Sequence, residues 1–465
     1  MTSQMALMNN LSVALATDSA VSWRMGDLAG PVYNTSEKIY QLAGRQPIGY
    51  MNYFSGDFMG ISWDRIFGMY REHLEGEGSK DEEKFGRKEF GEVTSDDPDN
   101  PGYVEHFLNF LDESPLLNKK ELQIDSMATE VAGFLRLKIP SMRDLRDSLL
   151  SEQSDIRWKE DEELLALRDE MRGLSPQIHE EIGMLVQVMT EESDEEPKRK
   201  HESLEDSEPE LLQALVSKVA RLMKTPVSQF PREFVEDLAR FGGLYLANDW
   251  RDPEMRFSGI TIAGFGGEEE VPRVVEIKIW EKWNGKMRYE IEEVHNAPAI
   301  VRLAQTERIT AILGGLSVVA EQELIGSIAE EFSDFIPYVI KHTKGIGPVG
   351  EKAIVAVIDR EARAFAEVIL GKVKNKMDVN KQSISPSDIN RLSPLDLARF
   401  AEKLVDMEAT SQYVRFAGNA GVGGPVDVVS ITKEDGLVWI KRKDVIEERL
   451  NPRIYRTPRA RGRHI

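Results

Sequence analysis

Strand-forming segments stand at the start, the middle and the end of this 465-residue chain, and long helical stretches separate them. A chain patterned in that way is expected to build one core of sheets from distant pieces of sequence. The helices then pack on the sheets or lie inserted between strands. Residues 5–22 (MALMNNLSVALATDSAVS) read as two short strands around an Asn-Asn turn. Val32 to Leu42 and Ile48 to Phe54 are further strand candidates. From Ser62 to Leu74, the apolar Ile66, Phe67, Met69, Tyr70 and Leu74 recur at helical spacing.

Residues 75–101 are rich in charge and Gly and contain Asp-Pro, so they read as a linker. A helical region follows over about 102–248, with apolar stripes at Leu164 to Met189 and Leu211 to Met223. Between those stripes, 190–210 holds ten acidic and three basic residues and reads as a solvated loop. Phe257 to Phe265 and Val274 to Trp280 have strand character again. Helices are expected from about Leu303 to Ile340, Glu351 to Val373 and Leu395 to Tyr413. Val426 to Thr432, an Asp435-Gly436 turn and Leu437 to Lys441 form the clearest hairpin.

Composition narrows the function classes. Eighty acidic against 59 basic residues give a formal charge of −21, which repels phosphate backbones and anionic lipid. Arg456, Arg459, Arg461 and Arg463 form a short basic tail that reads as a disordered end rather than a binding arm. No segment approaches a membrane span, and the first twenty residues lack the pattern of a signal peptide. The chain has no cysteine, hence no disulfide, thiol nucleophile or thiolate metal site, which fits a cytoplasmic location. His73, His106, His179, His201, His295, His342 and His464 show no paired spacing, so no metal is expected. Ser55 lies in F-S-G, which is not the G-x-S-x-G elbow of a serine hydrolase. GIGPVG at 345–350 matches G-x-G-x-x-G but follows a helical segment, so it reads as a tight interhelical turn. Its likeness to a helix-hairpin-helix nucleic-acid motif meets Glu330, Glu331 and Asp334 on the preceding helix, and the charge opposes it.

The first sixty residues carry Thr2, Asp18 in VALATDS, Lys38 in SEKIYQL and Gly56 in YFSGD. This series resembles the proteasome β-type subunits among the N-terminal-nucleophile hydrolases. Those begin with a threonine, run through one hairpin into a segment like VVLAADS, carry a lysine heading a short strand, and end a later strand in a Ser-Gly turn. Asp18 follows Thr2 by sixteen residues, as in that family, while Lys38 comes later than the family spacing. SGITIAGFGGEEEVPRVVEIKIW is similar to the family's central hairpin, and LARFAEKLVDM with VGGPVDVVSITKEDGLVWI to its final helix and hairpin. About half the chain is covered, in three pieces.

The resemblance implies an α/β (α+β) fold, a four-layer αββα sandwich of two antiparallel sheets between helices, elaborated by large helical insertions. Its core would comprise 1–75, the central hairpin part 249–316 and the last helix and hairpin 395–450. The insertions would be 76–248, with the acidic linker 190–210, and 317–394, and 451–465 the basic tail. It implies Thr2 as nucleophile once Met1 is removed, its own α-amine as base, Lys38 and Asp18 as electrostatic partners and the Gly56 N–H as oxyanion donor. Substrates would be peptides or proteins, the assembly a homo-oligomeric ring, and no cofactor is implied. The family's auxiliary Asp and Ser fall on Asn419 and Val422, and another serine near Gln305 or Thr306. Those departures leave an inactive ring or scaffold protein as the alternative, with a helix-hairpin-helix nucleic-acid binder behind it.

Overall fold

The computed structural model describes residues 2–20, 24–25, 28–29, 36–41, 47–85, 102–139, 180–186, 203–223, 227–248, 257–267, 269–304, 306–314, 320, 322–330, 364, 366–372, 384–415 and 422–443. The fold is mixed α and β with antiparallel sheets.

The N-terminal hairpin forms as its apolar runs predict. β1 (Ser3–Met8) and β2 (Val13–Asp18) pair from Met8↔Val13 to Gln4↔Thr17. Asn9 closes the turn: its Oδ1 accepts the N–H groups of Leu11 and Ser12 at 3.0 and 2.9 Å. Every residue of both strands is buried, which is why they read as near-continuous apolar sequence instead of alternating. Two short ribbons also form, β3 (Arg24–Met25) with β4 (Leu28–Ala29), and β7 (Asp57–Phe58) with β8 (Ile61–Ser62). β5 (Ile39–Gln41) pairs with β6 (Ile48–Phe54). β9 (Ser258–Gly264), β10 (Arg273–Ile279), β11 (Tyr289–Asn296) and β12 (Ala299–Ala304) come from the middle, and β13 (Val426–Thr432) and β14 (Gly436–Lys441) from the end. They make two five-stranded sheets, ordered β12-β1-β2-β13-β14 and β11-β10-β9-β6-β5.

The two sheets share one apolar cluster. Ala6, Met8, Val13, Leu15, Val429 and Ile431 of the first pack with Met51, Tyr53, Ala263 and Val274 of the second. Gly49 on β6 lets them approach closely: a Cβ there would meet Ile431 Cδ1 at 2.9 Å and Leu15 Cδ1 at 3.0 Å. The other face of the first sheet (Met5, Leu7, Ala14, Ala16) is covered by Leu397, Ala401, Leu404 and Val405. On the second sheet, Tyr50, Ile260, Ile262 and Ile277 pack against Trp63, Phe67, Tyr70, Phe107 and Leu111. Those residues lie on α1 (Trp63–Phe85) and α2 (Tyr103–Glu113), whose Phe67 and Phe107 rings stack at 5.5 Å.

A separate helical cluster is built by α3 (Lys120–Lys138), α4 (Leu204–Ser207), α5 (Pro209–Leu222) and α6 (Arg232–Asn248). After β12 come α7 (Glu307–Gly314), α8 (Pro386–Ile389) and α9 (Pro394–Arg415). Glu408 on α9 is fully buried and its Oε2 accepts the Arg308 and Ile309 N–H groups at 2.8 and 3.2 Å, capping α7.

Four expectations need correction. The linker read at 75–101 is helical as far as Phe85, so α1 runs through the boundary at 75/76; two glycines and a charge run are tolerated where helical N–H groups keep their partners. The acidic loop at 190–210 ends in helix: Ser203 accepts the Glu205 N–H at 3.3 Å and Leu204 is buried beside Gly242. The helix expected from Leu303 begins at Glu307, because Leu303 and Ala304 finish β12 on the edge of the first sheet. β11 and β12 went unread, since YEIEEVHN looks too acidic for a strand until it is placed at a solvent-facing edge. The segments 141–179, 345–350, Asn419 and the tail 451–465 lie outside the described residues.

Candidate active site

Asp18 ends β2, where the antiparallel register brings it beside Val426 of β13 and next to the start of β1. Its carboxylate is buried and fully engaged. Oδ1 accepts the Ser3 N–H at 3.0 Å and Lys38 Nζ at 2.9 Å, and Oδ2 accepts the Gly423 N–H at 2.9 Å. Lys38 Nζ donates also to the Ala20 carbonyl at 2.6 Å. Lys38 itself leads into β5, held by the Asn52 N–H on its carbonyl at 3.2 Å. Thr2, immediately before Ser3, is 9% exposed. The structure thus joins Asp18, Lys38 and the backbone that carries Thr2 around one carboxylate.

Burial pushes the Lys38 amine down from its ordinary 10.5. Asp18 pulls the other way by charge and hydrogen bond but does not restore it. Desolvation therefore outweighs the ion pair.

The loop ahead of β13 supplies what sequence reasoning had passed over. Gly423 and Gly424 have φ of 150° and 76°, conformations that favour glycine, and this shape turns the Gly423 N–H toward Asp18. Gly423 also accepts the Ala20 N–H at 3.0 Å, and Ser19 Oγ donates to the Pro425 carbonyl at 2.7 Å. Val422 is buried and offers no polar atom from its side chain. Thr306 is described and Gln305 is not.

Gly56 is exposed at the turn that follows β6. Its carbonyl accepts the Trp63 N–H at 3.1 Å, and a Cβ there would meet nothing within 4 Å. The neighbouring residues are braced: Ser55 Oγ donates to the Asp57 carbonyl at 2.7 Å, and Asn52 Nδ2 donates to the Ser55 carbonyl at 3.3 Å. Phe54, 62% exposed with φ of 63°, leans on Phe257 with ring centroids 4.7 Å apart. An aromatic pair therefore stands beside the Ser-Gly turn.

A second buried acid–amine pair also went unread. Lys443, just past β14, gives its N–H to Asp427 Oδ1 at 2.8 Å and pairs its Nζ with Oδ2. The available signal was the D-V-V-S-I run of β13, where an Asp sits inside a strand that is otherwise buried.

Among the described residues, Glu276, Glu293 and His295 bring ligand-type atoms within 4.8 Å of one another. The β10–β11 register sets Glu293 opposite Glu276, and His295 follows on the same face. Both imidazole nitrogens face carboxylates, Nε2 at 2.6 Å from Glu276 and Nδ1 at 3.4 Å from Glu293. The i, i+2 spacing of Glu293 and His295 was the one trace of this cluster in sequence.

No protein-family model, curated protein or solved structure matches the chain. Among the described residues, no helix is long and apolar enough to cross a membrane.

Proposed function

We propose that this chain is a threonine hydrolase of the proteasome type, cutting amide bonds in peptides or proteins, with its two sheets and flanking helices forming the four-layer sandwich of N-terminal-nucleophile hydrolases. The observation that carries the reading is the shared oxygen: the residue after Thr2 and the amine of Lys38 both donate to Asp18 Oδ1. A threonine hydroxyl needs a base, and an α-amine with a pKa of roughly 8 is partly neutral near pH 7. In a mature chain that starts at Thr2, this amine takes the hydroxyl proton as Oγ attacks the scissile carbonyl. Lys38, whose amine burial pushes below its ordinary value against the pull of Asp18, donates to the same carboxylate oxygen as the backbone that carries Thr2. The Gly56 N–H faces the developing oxyanion. The leaving amine takes a proton, an ester remains on Thr2, and water releases the acid.

A homo-oligomeric ring in a cytoplasmic setting belongs to the same reading. One observation favours a second reading, a non-catalytic ring or scaffold subunit: Val422 is buried and aliphatic where the family places a hydroxyl. Intact mass separates the two. A chain that starts at Thr2 and is labelled by a β-lactone or epoxyketone, with no label on Thr2→Ala, is the hydrolase. A chain that keeps Met1, or a Thr2 start that takes no label, is the scaffold.

A further inference from the structure

We propose that Glu276, Glu293 and His295 hold a divalent transition-metal ion at the β10–β11 edge of the second sheet. A ring nitrogen of His295 and one oxygen from each carboxylate all lie within 4.8 Å of one another. Ligand atoms about 2.1 Å from one tetrahedral ion stand roughly 3.4 Å apart, so modest side-chain rotations close the set. Glu276 and His295 are 15% and 14% exposed and Glu293 66%, which makes a half-buried site with one side open to water.

The strand register assembles these residues. β11 pairs Ile291 with Ile277 and then Glu293 with Glu276, so Glu292 is the extra residue of a bulge. With one residue fewer, Glu292 and Val294 would stand opposite Glu276 and Val274. The bulge instead brings Glu293 and His295 onto the face of Glu276, while Glu292 pairs with Lys278 at 2.7 Å. Two carboxylates directly opposite on neighbouring strands repel each other. One imidazolium sets a single positive charge against two negative ones, whereas a divalent ion on a neutral imidazole balances both. A second observation lies on the other side of Glu276. Thr261 of β9 stands directly opposite it and is fully buried, and its Oγ1 has no hydrogen-bond partner among the described residues. A buried hydroxyl without a partner is costly, and beside a ligating carboxylate it serves to orient that ligand. The donor set names the ion class: imidazole with carboxylate suits Zn2+ or Mn2+, whereas Mg2+ and Ca2+ prefer oxygen alone. Such an ion ties β11 to β10 just before the chain passes to β12 in the first sheet. It would overturn the expectation of no metal drawn from the spread of the histidines, and it stands whether or not Thr2 is a nucleophile.

The test is calorimetric titration of the EDTA-treated full chain with Zn2+ near pH 7. One ion per chain should bind with a Kd of about 1 μM or below. His295→Asn and Glu276→Gln should each weaken binding by about 100-fold, and Thr261→Val by about 10-fold. Mg2+ in about tenfold excess should leave the titration unchanged. A wild type that binds no Zn2+ overturns the proposal and leaves the cluster an ion pair only. Equal affinity in wild type, His295→Asn and Glu276→Gln overturns it too, because the ion is then held elsewhere. Displacement by Mg2+ overturns the transition-metal assignment. If Glu276→Gln does not fold, Glu293→Gln decides in its place, since that side chain lies mostly in water and its charge can be removed without unfolding the sheet. A loss of about tenfold or more in that variant supports the site, and unchanged affinity overturns it.

Discussion

Lys38 Nζ lies 2.9 Å from Asp18 Oδ1 with the two side chains 5% and 0% exposed, yet the lysine's affinity for its proton is weakened. The carboxylate has three donors to serve: Lys38, the Ser3 N–H and the Gly423 N–H. It thereby ties the start of β1, the start of β5 and the glycine loop before β13 into one knot.

Asp18→Asn keeps the shape of that knot and removes its charge. Lys38 is left in a dry place with no carboxylate against its Nζ, and stability should fall by about 3–5 kcal/mol. Denaturant unfolding of the two proteins measures it. A loss below about 1 kcal/mol would mean that Lys38 is already neutral when paired, and that Asp18 acts through its backbone contacts.

The pH dependence of stability follows from the direction of the Lys38 shift. Its pKa is lowered in the folded chain relative to 10.5, so between those two values the unfolded chain binds more protons. Lys38 should therefore stabilise the fold increasingly as pH rises through that window, with the gain complete above 10.5. The stability gap between wild type and Lys38→Met should change in the wild type's favour as alkali is added. A change in the variant's favour would reverse the sign of the shift.

Gly56 offers a paired test of the oxyanion donor. Its Cβ position is open and its φ is not left-handed, so Gly56→Ala should keep both fold and β-lactone labelling. Gly56→Pro deletes the N–H, and the rate should drop about 10²–10³-fold. Equal rates in the two variants would remove Gly56 from the chemistry. Gly264 is the contrast: φ is 146° and a Cβ would sit 1.8 Å from the Pro47 carbonyl oxygen. Gly264→Ala should cost about 3 kcal/mol, read from the same unfolding curves.

Much of this core was legible because short-range chemistry specified it. Ile48–Phe54 and Val426–Thr432 are strands with the bounds their sequence suggests, and Asn9 and Gly436 turn the chain where an Asn-Asn and an Asp-Gly predict. The failures are long-range. β11 carries Glu290, Glu292 and Glu293, and it becomes a strand only because β10 offers it an edge, where Lys278 stands opposite Glu290 and its Nζ pairs with Glu292 at 2.7 Å. Leu303 and Ala304 look helical until β1 takes them as partners. The site divides in the same way. Thr2, Asp18 and Lys38 were named from a resemblance of sequence, whereas Gly423 comes from the far end of the chain and reaches Asp18 because β13 pairs with β2.

The helical insertion has its own test, at Glu130 of α3. This buried carboxylate accepts the Tyr245 hydroxyl at 2.6 Å and the Arg288 guanidinium at 2.5 Å, with the Arg288 group 5.7 Å from the Tyr245 ring. Arg288 lies beside β11, so the triad links the helical cluster to the second sheet. Removing one partner leaves a charge stranded, while removing both charges strands neither. Glu130→Gln and Arg288→Met should each cost about 3–5 kcal/mol, and the double variant should cost less than the sum by about 2 kcal/mol or more. Thr2 labelling in the double variant should match wild type, since none of these groups contacts Asp18 or Lys38. Strict additivity would show that helix and sheet are joined by their apolar contacts alone, with the triad energetically idle.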